Sequence, residues 1–295
     1  TMNLSETDGY SDFQLKAGQE VASCWIQYDS VELILREAVE MVIAMQAIKM
    51  PAGILIQAQS GMGKTELLQV ITQEVNRRIQ SKMGESRCIN IELDSTVDAI
   101  RMAGHFTKAV GYPLLPSRAK QETMNSMIEN ALDRLAPVLV TIDETQHITE
   151  GNREIWAKGV TDWLKVRMDK HNFPIVCAGS KGIEKLCSIN PQFTSRASVN
   201  FVIEPFRMDD RWLRLLAGFA SAVKLVDMRI ITTVTSKKLY QATNGNIRAL
   251  KRILVYAALS AASRESRVMQ LQDLAIGYTK SFGVMPSLVN PFEVK

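Results

Sequence analysis

Residues 53–65 read Gly-Ile-Leu-Ile-Gln-Ala-Gln-Ser-Gly-Met-Gly-Lys-Thr. The first five form a short apolar run of the kind buried on both faces of a parallel sheet. The last eight, Ala58, Gln59, Ser60, Gly61, Met62, Gly63, Lys64 and Thr65, fit a phosphate-binding loop if alanine is admitted at its first glycine position. By average residue frequencies this relaxed pattern arises by chance in about 2% of chains of such length. The surroundings narrow it further, because Leu67, Leu68, Ile71, Val75 and Ile79 follow at helical spacing. A loop between a buried strand and an amphipathic helix is what the chemistry requires: loop N–H groups wrap phosphate oxygens, and the helix N-terminus adds partial positive charge. Gly61 and Gly63 let the backbone bend, Lys64 reaches the β and γ phosphates, and Thr65 holds Mg2+. Ala58 departs from the pattern and is tolerable where no left-handed backbone is needed. The alternative, a glycine-rich turn beside an exposed lysine, is disfavoured by the order of strand, loop and helix.

Four more runs match the first: Cys88–Glu92, Val138–Ile142, Ile175–Ala178 and Val199–Ile203. All are short and apolar, bounded by turns or charges, and are expected to be buried on both faces. Strands alternate with helical periodicity through two thirds of the chain, and helical periodicity alone fills the rest. The order predicts an α/β unit with a five-stranded parallel sheet sandwiched by helices, followed by a small all-α lid. Asp29 is placed to cap a helix opening near Ser30, with Glu32 reaching back and Tyr28 stapled against Leu33. Pro205 closes the fifth strand, and Met208–Val223, Ile230–Ala242, Ile247–Ser263 and Met269–Tyr278 read as four lid helices. The expected organisation is a polar segment over 1–27, the core over 28–204, the lid over 205–280 and a tail over 281–295.

With 295 residues, 46% hydrophobic, 22% charged and 9 prolines, the composition excludes disordered, collagenous and low-complexity classes. The longest mainly apolar stretch, Val31 to Ile48, is broken by Glu32, Arg36, Glu37 and Glu40, so no membrane span and no membrane partner are expected. The polar start lacks the order of a secretory signal, which predicts a cytoplasmic protein. Cys24, Cys88, Cys177 and Cys187 show no ligand spacing with one another or with His105, His147 and His171, so buried free thiols are expected rather than disulfides or zinc. A net charge of +4 permits a nucleic-acid partner without establishing one.

A phosphate loop needs a second carboxylate-bearing strand. Val138-Leu139-Val140-Thr141-Ile142-Asp143-Glu144 ends an apolar run with two acids. With the loop strand alongside it, Asp143 is expected to face Thr65 and the metal, and Glu144 the water that attacks the γ-phosphate. Taken alone, the acidic pair also fits a helix N-cap.

These residues resemble the AAA+ superfamily, and within it the transposition ATPases of the TniB, TnsC and Mu B type. Besides the loop, the resemblance rests on Ile142-Asp143-Glu144-Thr145-Gln146-His147, on Cys177-Ala178-Gly179-Ser180 and on Pro191-Gln192-Phe193-Thr194-Ser195-Arg196. It implies ATP and Mg2+ as cofactors, Ser180 at the sensor-1 position beside the attacking water, and Arg196 as an arginine finger for a neighbouring subunit. Gly245-Asn246-Ile247-Arg248 is similar to the sensor-2 motif, which assigns Arg248 to the γ-phosphate. From Gly245 to Arg267 five basic residues stand against Glu265 alone; Lys251 and Arg252 also fit a merely solvated face.

The implied activity is ATP hydrolysis used as a switch by a regulator that assembles on duplex DNA as a homo-oligomeric ring or filament. The implied partner is a transposase, with or without a separate target-selection protein. Family members hold the duplex backbone through a region corresponding loosely to Asp94–Lys120, where Arg101, Lys108, Arg118 and Lys120 lie, and no pattern selects among them. A helicase loader or replication initiator is the competing reading, although initiators usually add a winged-helix domain after the lid. A secretion-associated ATPase of the ExeA type would call for a membrane segment, and a small-molecule kinase would have no use for a finger acting in trans.

Overall fold

Five strands, β1 (Gly53–Ala58), β2 (Cys88–Glu92), β3 (Leu139–Asp143), β4 (Ile175–Gly179) and β5 (Val199–Ile203), pair in parallel in the order β2-β3-β4-β1-β5. They belong to a computed structural model that describes residues 9–79, 87–112, 121–150, 154–197, 199–284 and 289–293. The described residues form two compact units, one of Ser30–Glu204 and one joining residues up to Asp29 with those from Pro205 onward.

In the first unit the three inner strands are buried nearly throughout. The expectation of two buried faces fails for β2 and β5, which alternate between shielded and exposed residues. Both lie at sheet edges, where fewer neighbours cover the outer positions, and Val202 is 59% exposed. A second correction concerns strand order. The loop strand β1 is not alongside β3, because β4 is inserted between them. Strand order is set by which crossover packs where, a non-local property that each strand's own residues do not encode.

The helices after α1 (Asp12–Ser23) are α2 (Asp29–Ile48), α3 (Lys64–Ile79), α4 (Ala99–Ala109), α5 (Gln121–Leu135), α6 (Glu154–His171), α7 (Lys185–Ile189) and α8 (Pro191–Thr194). Met102, Phe106, Ile128, Leu132, Val160 and Leu164, from α4, α5 and α6, share one cluster with Leu55, Ile91, Val140 and Ile142 of the sheet. By the two-residue period of a strand, Thr141 and Asp143 face the other side. There α3 packs on β3 and β4, and the Thr72 and Thr141 hydroxyls both donate to Asn90 Oδ1, at 2.9 and 2.7 Å. Asp29 is the first residue of α2 rather than its cap. Leu33, expected to take part in a staple, is 45% exposed. Tyr28 packs instead edge-on against Phe206, ring centroids 4.8 Å apart.

The second unit contains α9 (Asp210–Ala222), α10 (Thr235–Thr243), α11 (Ile247–Ala261) and α12 (Leu271–Phe282), together with α1. The polar opening thus holds a helix that the sequence reading did not assign. Ser11 and Gln14 close a reciprocal capping box, Gln14 Nε2 donates to the Leu259 carbonyl at 2.9 Å, and Lys251 Nζ donates to Ala22 O at 3.2 Å. The helix expected over Ile230–Ala242 is divided into a 3₁₀ turn, Arg229–Thr232, and α10. The hydroxyls of Thr232, Thr233 and Thr235 bond back to the carbonyls of Arg229 and Ile230 at 2.5–2.8 Å, offering the backbone an alternative to the helical ladder. The expected tail also differs: α12 runs on to Phe282, and Phe292 is buried. Residues 1–8, 285–288, 294 and 295 of the expected end segments lie outside the described residues. Among those described, no helix is long and apolar enough to cross a membrane.

Candidate functional site

The loop leaves β1 at Ala58, which pairs with Ile203 as ordinary strand backbone, so the missing first glycine costs nothing there. Gly61 and Gly63 take φ values of 82° and 83°, the left-handed region where a Cβ is penalised. They turn the chain around the start of α3. Lys64 is 5% exposed, and its ammonium donates to the carbonyls of Ala58 and Gln59 at 3.2 and 3.4 Å. Met62 is buried beneath the loop, while Gln59 and Ser60 are exposed above it. The first N–H groups of α3 have no intrahelical acceptor.

Although β3 is one strand removed from β1, α3 reaches across β4. Thr65 Oγ1 donates to Asp143 Oδ2 at 2.5 Å, so the expected meeting of Thr65 and Asp143 occurs through the helix. Asp143 is 5% exposed, and its Oδ1 accepts from the Glu144 N–H at 2.8 Å. A cavity of about 190 Å³ opens beside this pair, bordered by Thr65, Gln69, Asn90, Glu92, Thr141 and Asp143. Glu144 sits at φ 53°, ψ 37°, a left-handed conformation costing an L-residue about 1–2 kcal/mol. The kink ends β3 and starts a 3₁₀ turn, Thr145–Ile148, rather than the capped helix weighed as the alternative. Gln146 Nε2 donates to Glu144 Oε2 at 2.5 Å, and Gln146 Oε1 accepts from the Ser180 N–H at 2.9 Å. The carboxyl ends of β1, β3 and β4 therefore gather Lys64, Thr65, Asp143, Glu144 and Ser180 where the strand order reverses, the crevice where open α/β sheets bind ligands.

Arg196 lies elsewhere. Its carbonyl accepts from the Gly53 N–H at 2.8 Å, at the amino end of β1, whereas the loop departs from the carboxyl end. The five steps along the six residues of β1, at about 3.3 Å each, separate the two ends by roughly 16 Å. The guanidinium bonds to Asp169 of α6 and to the Gln192 carbonyl. Arg248 is exposed in the first turn of α11, whose N-cap Asn246 accepts from the Ala249 N–H at 3.1 Å. Arg101 and Lys108 are exposed on α4, and Arg101 Nη1 donates to Thr96 O at 2.8 Å; Arg118 and Lys120 lie outside the described residues. Of the cysteines only Cys177 is buried. Burial pushes its thiol, and that of half-buried Cys88, up to about 12.

A family model described as "Bacterial TniB protein" matches residues 19–206. The chain belongs to the TniB family. Its architecture is the AAA+ fold, a parallel five-stranded sheet with flanking helices and helices beyond it. Similar solved structures include the Aeropyrum pernix ORC2 protein in ADPNP-ADP complexes, with 12% identity and TM-score 0.68 over 90% of this chain and 71% of that one. They also include the A. pernix ORC1 protein in complex with DNA, at 16% identity and TM-score 0.68 over 89% of this chain and 69% of that one. Drosophila ORC bound to DNA matches at 12% identity and TM-score 0.58, over 95% and 68% of the two chains. No curated protein sequence matches this TniB-family chain.

Two residues of the site region carried no role in the sequence reading. Gln146 stands inside a motif that assigns it no role, and Asp169 lies in none. The signal for Gln146 was its place two residues after Glu144, which becomes meaningful only once β4 is known to lie beside β3. Nothing in the sequence marks Asp169, whose partner stands 27 residues away in the turn just beyond α8.

Proposed function

We propose that this chain is an ATP-dependent, sequence-nonspecific duplex-DNA-binding regulator of transposition. It assembles on target DNA with ATP, recruits or activates a transposase, and disassembles on hydrolysis. The observation that carries the nucleotide half is the Thr65–Asp143 contact at 2.5 Å beside the glycine loop, and the transposition half is supported by the TniB match.

The residues suit ATP with magnesium. A buried ammonium resting on two carbonyls, two left-handed glycines and the first N–H groups of a helix make an anion cradle, and the hydroxyl and carboxylate of Thr65 and Asp143 are hard oxygen donors. Magnesium, when bound, neutralises charge on the β and γ phosphates. Lys64 Nζ exchanges its carbonyl contacts for phosphate oxygens. A Glu144 carboxylate oxygen orients the attacking water and accepts its proton, with Ser180 as a further contact for that water. Arg248 is assigned to the γ-phosphate by family resemblance. Because Arg196 stands at the amino end of β1 and its own loop at the carboxyl end, its finger role requires a second copy of the chain.

A regulator that leaves target sequence open holds duplex by its phosphates, so affinity should fall steeply with salt and vary little with sequence. If ATP joins subunits, many weak contacts become one multivalent grip, and DNA should bind far better with ATP than with ADP. Anisotropy on unrelated duplexes with ATP, a slowly hydrolysed analogue and ADP tests this across a salt series. Binding indifferent to nucleotide, or absent in all three, overturns the proposal. A helicase-loader or initiator-like role is the second reading, favoured by the fold shared with the DNA-bound ORC1 structure.

A further inference from the structure

Gln146 is 5% exposed, and both ends of its amide are engaged. The Ser180 N–H can only donate, so the amide oxygen must face it and the NH₂ must face Glu144. The assignment follows from chemistry, since a backbone N–H and an NH₂ cannot satisfy each other. Gly179 makes the arrangement possible, because a Cβ there would stand 2.9 Å from Gln146 Oε1 and 3.0 Å from its backbone nitrogen. The side chain is therefore a strut of fixed length between the end of β4 and the carboxylate after β3.

We propose that Gln146 is a positioning residue: it fixes the Glu144 carboxylate and ties its pose to the Ser180 end of β4, so that a shift at either strand end is felt at the other. This rests on the reading of Glu144 as the group that orients or deprotonates water. One oxygen of Glu144 is held by the amide, which leaves the other to meet the water and prevents the side chain from swinging between rotamers. Main-chain strain at Glu144, φ 53°, already fixes the backbone; Gln146 adds control of the carboxylate itself.

Gln146→Glu tests the assignment, because it preserves length and still accepts from the Ser180 N–H but presents Glu144 with a like charge instead of a donor. Turnover should fall about 10- to 100-fold, the scale of a misplaced catalytic group, while affinity for a fluorescent ATP analogue and the melting midpoint stay near wild type. In single-turnover assays the loss should vanish in a Glu144→Gln background, because a residue acting only through Glu144 has nothing left to position. A purely structural role would instead lower both backgrounds alike. Gly179→Ala, which displaces Gln146 from the β4 side, provides a second arm should Gln146→Glu melt early, and should show the same selective loss of turnover. Glu144-dependent turnover with both variants at the wild-type rate overturns the positioning role alone. Turnover indifferent to Glu144→Gln overturns the underlying reading and this inference with it.

Discussion

Arg196 and Asp169 are joined by two parallel hydrogen bonds: Nε and Nη2 of the guanidinium each reach a separate carboxylate oxygen at 2.8 Å. The pair is partly open to solvent, with the side chains 29% and 39% exposed. A fork-to-fork contact of this kind fixes direction as well as distance, so within one copy the guanidinium is turned toward its own α6.

Catalysis should need a neighbour. An arginine finger supplied in trans is worth about 10³ to 10⁵ in rate, so Arg196→Ala should be nearly inactive yet bind ATP normally. Lys64→Ala should lose nucleotide binding without unfolding. Mixing the two should restore part of the phosphate release, since one copy offers a site and the other a finger. No recovery, with mixed assembly confirmed by crosslinking, removes Arg196 from that role.

Asp169 competes with any partner for the same guanidinium. A partly exposed ion pair contributes about 0.2–1 kcal/mol, equivalent to a factor of up to about 5. Asp169→Ala should therefore lower the protein concentration at half-maximal turnover by about 2- to 5-fold, with ATP affinity unchanged. A rise in that concentration would mean that Asp169 aims the finger rather than restraining it.

Binding and hydrolysis should separate at the end of β3. Glu144→Gln leaves Thr65, Asp143 and Lys64 in place, so ATP affinity should persist while turnover falls by a factor on the order of 10² or more. The variant should accumulate in its assembled state in sizing experiments with ATP. Phosphate release at the wild-type rate would show that another group handles the water.

The lid carries a prediction of stability. Gly245 has φ 72°, and a Cβ there would lie 2.0 Å from the Phe206 carbonyl oxygen, on the segment whose N–H donates to Gly245 O at 3.1 Å. Gly245→Ala combines a left-handed penalty with a backbone clash and should cost about 3 kcal/mol or more in denaturant unfolding. Asn244→Gly, at a neighbouring left-handed position with φ 49° closing α10, should be nearly neutral.

The parts legible in the sequence were those whose signal is local. A buried strand, two glycines and a helix start stand contiguous at residues 53–79, and Asp143 and Glu144 end an apolar run. Each strand was located to within a residue of its observed limits for the same reason. What escaped depends on distant partners. The insertion of β4 between β1 and β3 is a matter of crossover, and Gln146 gains meaning only from it. Helix α1 buries only Ala17, Gly18 and Val21, too thin a stripe to announce a helix. The break before α10 arises from three threonine hydroxyls that composition alone would allow in a helix.

The first helix has an unusual schedule. Gln14 donates to Leu259, 245 residues later in the chain, and Glu20 accepts from the backbone of Leu225, 205 residues later. Ribosomes add roughly 5–20 residues per second, so α1 emerges about 10 to 50 s before its packing surface exists. During that interval Ser30–Glu204 is free to complete its own sheet, and α1 stays attached to a finished neighbour with nothing to fold against. The helical unit is thus begun before the sheet and closed after it during synthesis.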